Sequence, residues 1–249
     1  PLIQLTNDKV KFEKLSNFVS KNPKRDLEIL EKDSSIISNI NKVFNINNLN
    51  GIISYQDGRI DPILLLKTIN IYLEDKRIDC IHQEIIKIKK INNQWISTCK
   101  NKFEIKSDAI ILCNSLDSLK LIDLNYIKLK PVLGQAIELS IHEQEIDLLS
   151  LPKHFSINNK NFLPINKNKI IIGSTDEYNI KPMENIFEEL TDFLENKPQW
   201  LNKNNITDKW FGIRSRPEGE PSPILKSLEK GLILCTGFYK NGILLAPAC

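Results

Sequence analysis

The sequence predicts a mixed α/β fold in which two sheets are intertwined along one chain. Apolar residues recur at helical spacing over residues 10–19 and 26–40, and again after Asp61-Pro62. Between residues 81 and 113 the period shortens to strand-like alternation, and strand-like runs return after Pro131 and up to Cys235. Helical and strand segments therefore alternate, the pattern of a mixed fold and not of separate all-α and all-β domains.

Taken in order, Leu2-Ile3-Gln4-Leu5 reads as a strand. Phe12, Leu15, Phe18 and Val19 form one apolar stripe, and Leu27, Leu30, Ile36, Ile37 and Ile40 form another, so two amphipathic helices are expected. Asp61-Pro62 then opens a third helix, because Asp suits an N-cap and Pro the first helical position, where no N–H is needed. Ile86-Lys87-Ile88-Lys89, Trp95-Ile96-Ser97-Thr98-Cys99 and Phe103-Glu104-Ile105 read as an antiparallel meander, turning first at Asn92-Asn93. Ala109-Ile110-Ile111-Leu112-Cys113 is a short continuous apolar run, expected as a strand buried on both faces. Strands are expected at residues 135–141, 154–157, 162–165 and 170–175, an acidic helix at 183–195, and strands at 210–216 and 231–235.

Composition excludes several functions. Hydrophobic residues at 41% and charged residues at 26% suit an ordinary soluble domain. The net charge of +3 is dispersed among acidic residues, so no nucleic-acid partner is expected. No apolar run approaches the ~20 residues of a membrane span, so no membrane partner and a cytoplasmic location are expected. The five cysteines contain no CxxC pair and read as reduced, structural thiols. His82, His142 and His154 lack metal-ligand spacing, and no metal is expected; GxSxG, HExxH and P-loop patterns are also absent.

Two constellations remain. The first is the closing turn, Thr236-Gly237-Phe238-Tyr239-Lys240-Asn241-Gly242-Ile243-Leu244-Leu245-Ala246-Pro247, where an apolar strand meets a helix start. Free amides at such a start suit a phosphate or an electron-rich ring edge, although taken alone the residues are explained better by a plain strand-to-helix connection. The second is Trp210-Phe211-Gly212-Ile213-Arg214-Ser215-Arg216-Pro217. An Arg among apolar neighbours needs an anionic partner, either a ligand carboxylate or an internal ion pair.

In order, Asp57-Gly58-Arg59-Ile60-Asp61-Pro62, Pro131-Val132-Leu133-Gly134-Gln135, Ile170-Ile171-Ile172-Gly173-Ser174-Thr175, Trp210-Phe211-Gly212-Ile213-Arg214 and the closing turn resemble the D-amino-acid oxidase-like family of FAD enzymes. The closest resemblance is to its glycine oxidase branch, linked to thiamine biosynthesis. The resemblance implies an FAD-binding Rossmann-like domain (61–130 and 210–249) interleaved with an antiparallel-sheet substrate domain (1–60 and 131–209). No GxGxxG occurs in the chain, and the resemblance implies that this dinucleotide-binding start lies upstream. It further implies that Arg214 and Lys240 bind substrate and that Phe238, Tyr239, Lys240, Asn241, Gly242, Ile243 and Leu244 line the flavin, with Ile85 meeting the adenine. The implied partners are a small amine or amino-acid substrate and oxygen, and homo-oligomerisation is left open. Alternatives are a sarcosine or N-methyl amine oxidase, a tRNA-modification relative, or a non-catalytic domain that keeps the fold. The chain departs from the family at Cys113-Asn114-Ser115, where Ala-Gly is usual, at Phe238 in place of His, and at Lys240 in place of Arg.

Overall fold

The computed structural model describes residues 1–123, 127–142, 146–178 and 180–249. The chain divides into two compact units: residues 1–62, 134–176 and 181–212 form the first, and 63–133, 177–180 and 213–249 the second.

The first unit is built on an eight-stranded sheet in the order Ile206–Glu218, Lys128–Ser140, Lys169–Gly173, Lys160–Pro164, Phe155–Ile157, Leu2–Thr6, Asn50–Ser54 and Leu27–Leu30. Its two long strands, Lys128–Ser140 and Ile206–Glu218, continue into the second unit. The sheet is not wholly antiparallel as expected, because Leu2–Thr6 lies parallel to Phe155–Ile157. The expected helix over 26–40 is also corrected. Leu27–Leu30 is an edge strand paired to Asn50–Ser54, and the helix Ser35–Phe44 begins only where the Ser34 hydroxyl caps Ile37 N–H at 3.2 Å. Strand pairing captures Leu27 and Leu30, whose spacing fitted either element. The acidic helix shrinks to Ile186–Thr191.

The core of this unit is aromatic at its centre. Phe44 is fully buried, edge-on to Phe162 at 4.8 Å, Trp200 at 5.2 Å and Phe155 at 5.7 Å. The Trp200 indole N–H donates to the Val43 carbonyl at 2.9 Å, so its one polar atom is satisfied.

The second unit holds two three-stranded sheets. The meander Ile85–Ile91, Gln94–Cys99 and Glu104–Ser107 forms as expected, with Asn92 and Asn93 both at positive φ in its tight turn. The other sheet runs Ile224–Glu229, Leu232–Thr236, Ile110–Leu112, the last two parallel. Trp95, Leu112, Ile127, Ile224, Leu232 and Leu234 pack as its core. Burial on both faces is corrected here: Leu112 is 5% exposed but Ile111 is 60% exposed, so the Ile110–Leu112 strand is covered on one side among the described residues. The helix Pro62–Asp75 starts at Pro62 as its Asp-Pro signal predicts, and none of its residues is buried. Among the described residues, no helix is long and apolar enough to cross a membrane.

Candidate active site

The site grows from the parallel pair of the second unit. Ile110, Ile111 and Leu112 face Leu232, Ile233 and Leu234 in register, so the two strands deliver their C-terminal ends side by side. The first end passes into Cys113-Asn114-Ser115 and the second into the closing turn.

Hydrogen bonds tie these ends to the strand that carries Arg214. The Thr236 hydroxyl donates to the Ser115 carbonyl at 3.0 Å. The Ser115 and Ser215 hydroxyls meet at 2.9 Å, and the Tyr239 N–H donates to the Ser215 carbonyl at 3.2 Å. Ser222 donates to the Gly237 carbonyl at 2.7 Å. Gly237 and Tyr239 have φ of 70° and 52°, and these two left-handed residues reverse the chain. A helical turn follows, Gly242–Leu245, closed by the Leu245 N–H on the Asn241 carbonyl at 2.9 Å, and a 3-10 turn continues it over Ala246–Ala248. The first amides of this turn have no intrahelical acceptor and stand at its N-terminal end.

Arg214 and this turn border one cavity of about 790 Å³. Its walls are largely apolar, formed by Ile111, Ile213, Leu225, Ile233 and Phe238. Arg214, Ser115, Ser215, Cys113, Cys235, Thr236, Tyr239 and Gly242 also contribute. The structure therefore brings Arg214, Phe238, Tyr239 and Gly242 together. Lys240, Asn241, Ile243 and Leu244 stay outside the lining; Ile243 and Leu244 are 51% and 77% exposed. Ile85 starts the meander and lines a second cavity of about 590 Å³, which shares Ile111 and Cys113 with the first.

Beside the turn lies a cluster of cations and tyrosines. Arg216 donates to the Tyr178 hydroxyl at 2.6 Å and sits 5.4 Å from the Tyr239 ring. Lys240 lies 5.5 Å from the same ring, and Lys130 lies 4.9 Å from the ring of Tyr178. The sequence does not single out Tyr178, and it carries no sign that Ser115, Ser215, Cys113 and Cys235 gather at one cavity. Ser115 and Ser215 are 100 residues apart and carry no local signal.

The Cys235 thiol is pushed up from its ordinary pKa by burial, then by the charge and hydrogen bond of Cys113. His154, in the first unit, lines neither cavity. It is held below its ordinary pKa mainly by burial, against the 3.3 Å hydrogen bond with Asn161. Among the described residues, no cluster of His, Cys, Asp or Glu could hold a metal.

Residues 2–249 match the family described as FAD dependent oxidoreductase, DAO. The chain belongs to that family. It is similar in structure to glycine oxidase from Bacillus cereus ATCC 14579, with a TM-score of 0.82 and 18% identity over 99% of this chain and 68% of that one. Glycine oxidase from Geobacillus kaustophilus gives 0.78 and 17%, over 99% and 67%. The FAD-bound L-alpha-glycerophosphate oxidase from Mycoplasma pneumoniae gives 0.78 and 15%, over 99% and 70%. At these identities the likeness establishes the fold, and the chain spans about two-thirds of each relative. No curated protein matches the chain.

The cofactor of this DAO-family chain is FAD. The residues present fit it: the 790 Å³ cavity is within the range of cofactor sites, its walls are apolar, and backbone amides stand at one end. That combination suits a flat ring system with a polar edge.

Proposed function

We propose that the chain contributes the substrate-binding and flavin-facing parts of an oxidase acting on a small amino acid of the glycine type. The observation that supports this reading is the placement of Arg214 on the wall of an apolar cavity bordered by the closing turn. Bound FAD supplies a hydride acceptor whose electrons pass on to oxygen, releasing peroxide. Arg214 holds the substrate carboxylate through its planar fork and so fixes which way the substrate carbon faces. Phe238, Ile213 and Leu225 present an apolar surface to that carbon, which favours a neutral amine, and a neutral amine needs no protein base. The amides of the turn at Gly242 favour negative charge on the ring edge nearest them. Lys240 supplies a general positive potential beside the site, as a point charge in place of a fork. In this reading residues 61–130 and 210–249 serve FAD, residues 1–60 and 131–209 serve substrate, and Ile85 borders the adenine.

The test is peroxide release across glycine, sarcosine and D-alanine, with glycine expected to be fastest. Preference for sarcosine would move the reading to the N-methyl amine class, which the apolar walls would also accommodate. Loss of a charge-assisted pair is worth about 1.5–3 kcal/mol, so Arg214→Ala should lower kcat/KM by roughly 10- to 150-fold. Both kcat and KM should change; unchanged kinetics would remove Arg214 from the site.

A further inference from the structure

We propose that Cys113 and Cys235 form a peroxide-oxidisable dithiol on the wall of the candidate flavin cavity. Register carries the argument. Leu112 and Leu234 are the last paired residues of the parallel pair, and each is followed directly by a cysteine. Extended by one residue past its end, the same register would set Cys113 opposite Cys235, with both side chains on the same face. Adjacent strands lie about 4.8 Å apart, inside the Cα separation of about 4.4–6.8 Å that a disulfide spans. Both cysteines line the same cavity, and both are free thiols.

Their environments differ in a way that assigns roles. Cys113 is exposed and meets a diffusing oxidant first, whereas Cys235 is partly buried and keeps its proton. The oxidant is a hydroperoxide; hydrogen peroxide is the one released if the proposed oxidase activity holds, and the inference rests on that reading only for its physiological source. The Cys113 sulfur attacks one peroxide oxygen, so an S–O bond forms and the O–O bond breaks. The departing hydroxide takes the thiol proton and leaves as water. The Cys235 sulfur then attacks the sulfenic sulfur: the S–S bond forms, the S–O bond breaks, and the hydroxyl leaves with the Cys235 proton as a second water. Two thiols and one peroxide thus give one disulfide and two waters. Cys80 is exposed but lines neither cavity, Cys99 is buried in the meander, and Cys249 lines the same cavity without a strand partner.

The test treats the holoprotein with added hydrogen peroxide and maps its cysteines by peptide mass spectrometry. The expected product is a Cys113–Cys235 peptide, about 2 Da lighter than the two thiols and restored by dithiothreitol. Cys235→Ser should stop at a Cys113 sulfenic acid that dimedone traps, and Cys113→Ser should give no cross-link. A link that instead joins Cys249 to either residue, or oxidation of Cys113 to sulfinic acid with Cys235 still reduced, would overturn the proposal. Wild-type mapping needs no variant, so a misfolded variant leaves the result intact. Because the peroxide is added, failure of the oxidase reading shows instead as the absence of the disulfide during turnover without added peroxide.

Discussion

Gly237→Ala probes the closing turn through two separable costs. Gly237 has φ +70°, and a Cβ there would come within 2.7 Å of Pro217 Cγ and 3.4 Å of Leu129 Cδ2. The left-handed backbone costs a non-glycine residue about 1–2 kcal/mol. Pushing against the Pro217 ring, which is locked and cannot swing aside, adds about 1–3 kcal/mol. The sum is about 2–5 kcal/mol, or a drop of roughly 0.7–2.5 M in the urea midpoint at an m-value of about 2–3 kcal/mol/M. Two other glycines separate the contributions. Gly219 has φ +74° and nothing within 4 Å, so Gly219→Ala should lose only the backbone part, about 1–2 kcal/mol. Gly242 would place its Cβ 3.6 Å from Phe238 Cβ, an ordinary contact, and Gly242→Ala should be neutral or stabilising by up to about 1 kcal/mol. Equilibrium urea unfolding, followed by tryptophan fluorescence, gives all three midpoints. If Gly237→Ala falls no further than Gly219→Ala, the Pro217 contact contributes nothing and the packing of the turn is described wrongly.

Phe44→Ala, at the centre of the aromatic core, should cost about 3–5 kcal/mol in the same assay. His154 is held below its ordinary value of 6.5, so the unfolded chain takes up its proton more readily. Stability should therefore fall as pH drops below 6.5, and His154→Gln should flatten that slope. Glu138 is held below its ordinary value of 4.5, chiefly by the 2.7 Å hydrogen bond from Lys169 and further by Thr207, against burial. Its contribution is present above that value and lost as pH falls below it, so Lys169→Met should lose stability near neutrality but little more in acid.

Much of the fold was legible because local rules coincide with the outcome. Asp61-Pro62 marked a helix start, Asn92-Asn93 marked a tight turn, and the alternation over residues 81–113 marked the meander. The misreadings have one physical origin, since a single apolar spacing can serve two elements. Leu27 and Leu30 suit a helix face as well as a strand edge, and only pairing with Asn50–Ser54 decides between them. Likewise, Ile110-Ile111-Leu112 is equally apolar whichever face is covered, and coverage is a property of neighbours.

The closing turn shows where the division lies for the site. The residues alone determined a strand, a glycine-bearing corner and a nearby Arg, together with family membership through motifs spread over the whole chain. They did not determine that Arg214 and Phe238 share one cavity wall, that Ser115 braces Ser215, or that Cys113 and Cys235 line the same cavity. Each of those juxtapositions joins segments distant in sequence through strand register. Register is set by the sum of hydrogen bonds and packing across a sheet, which no local stretch of chain contains.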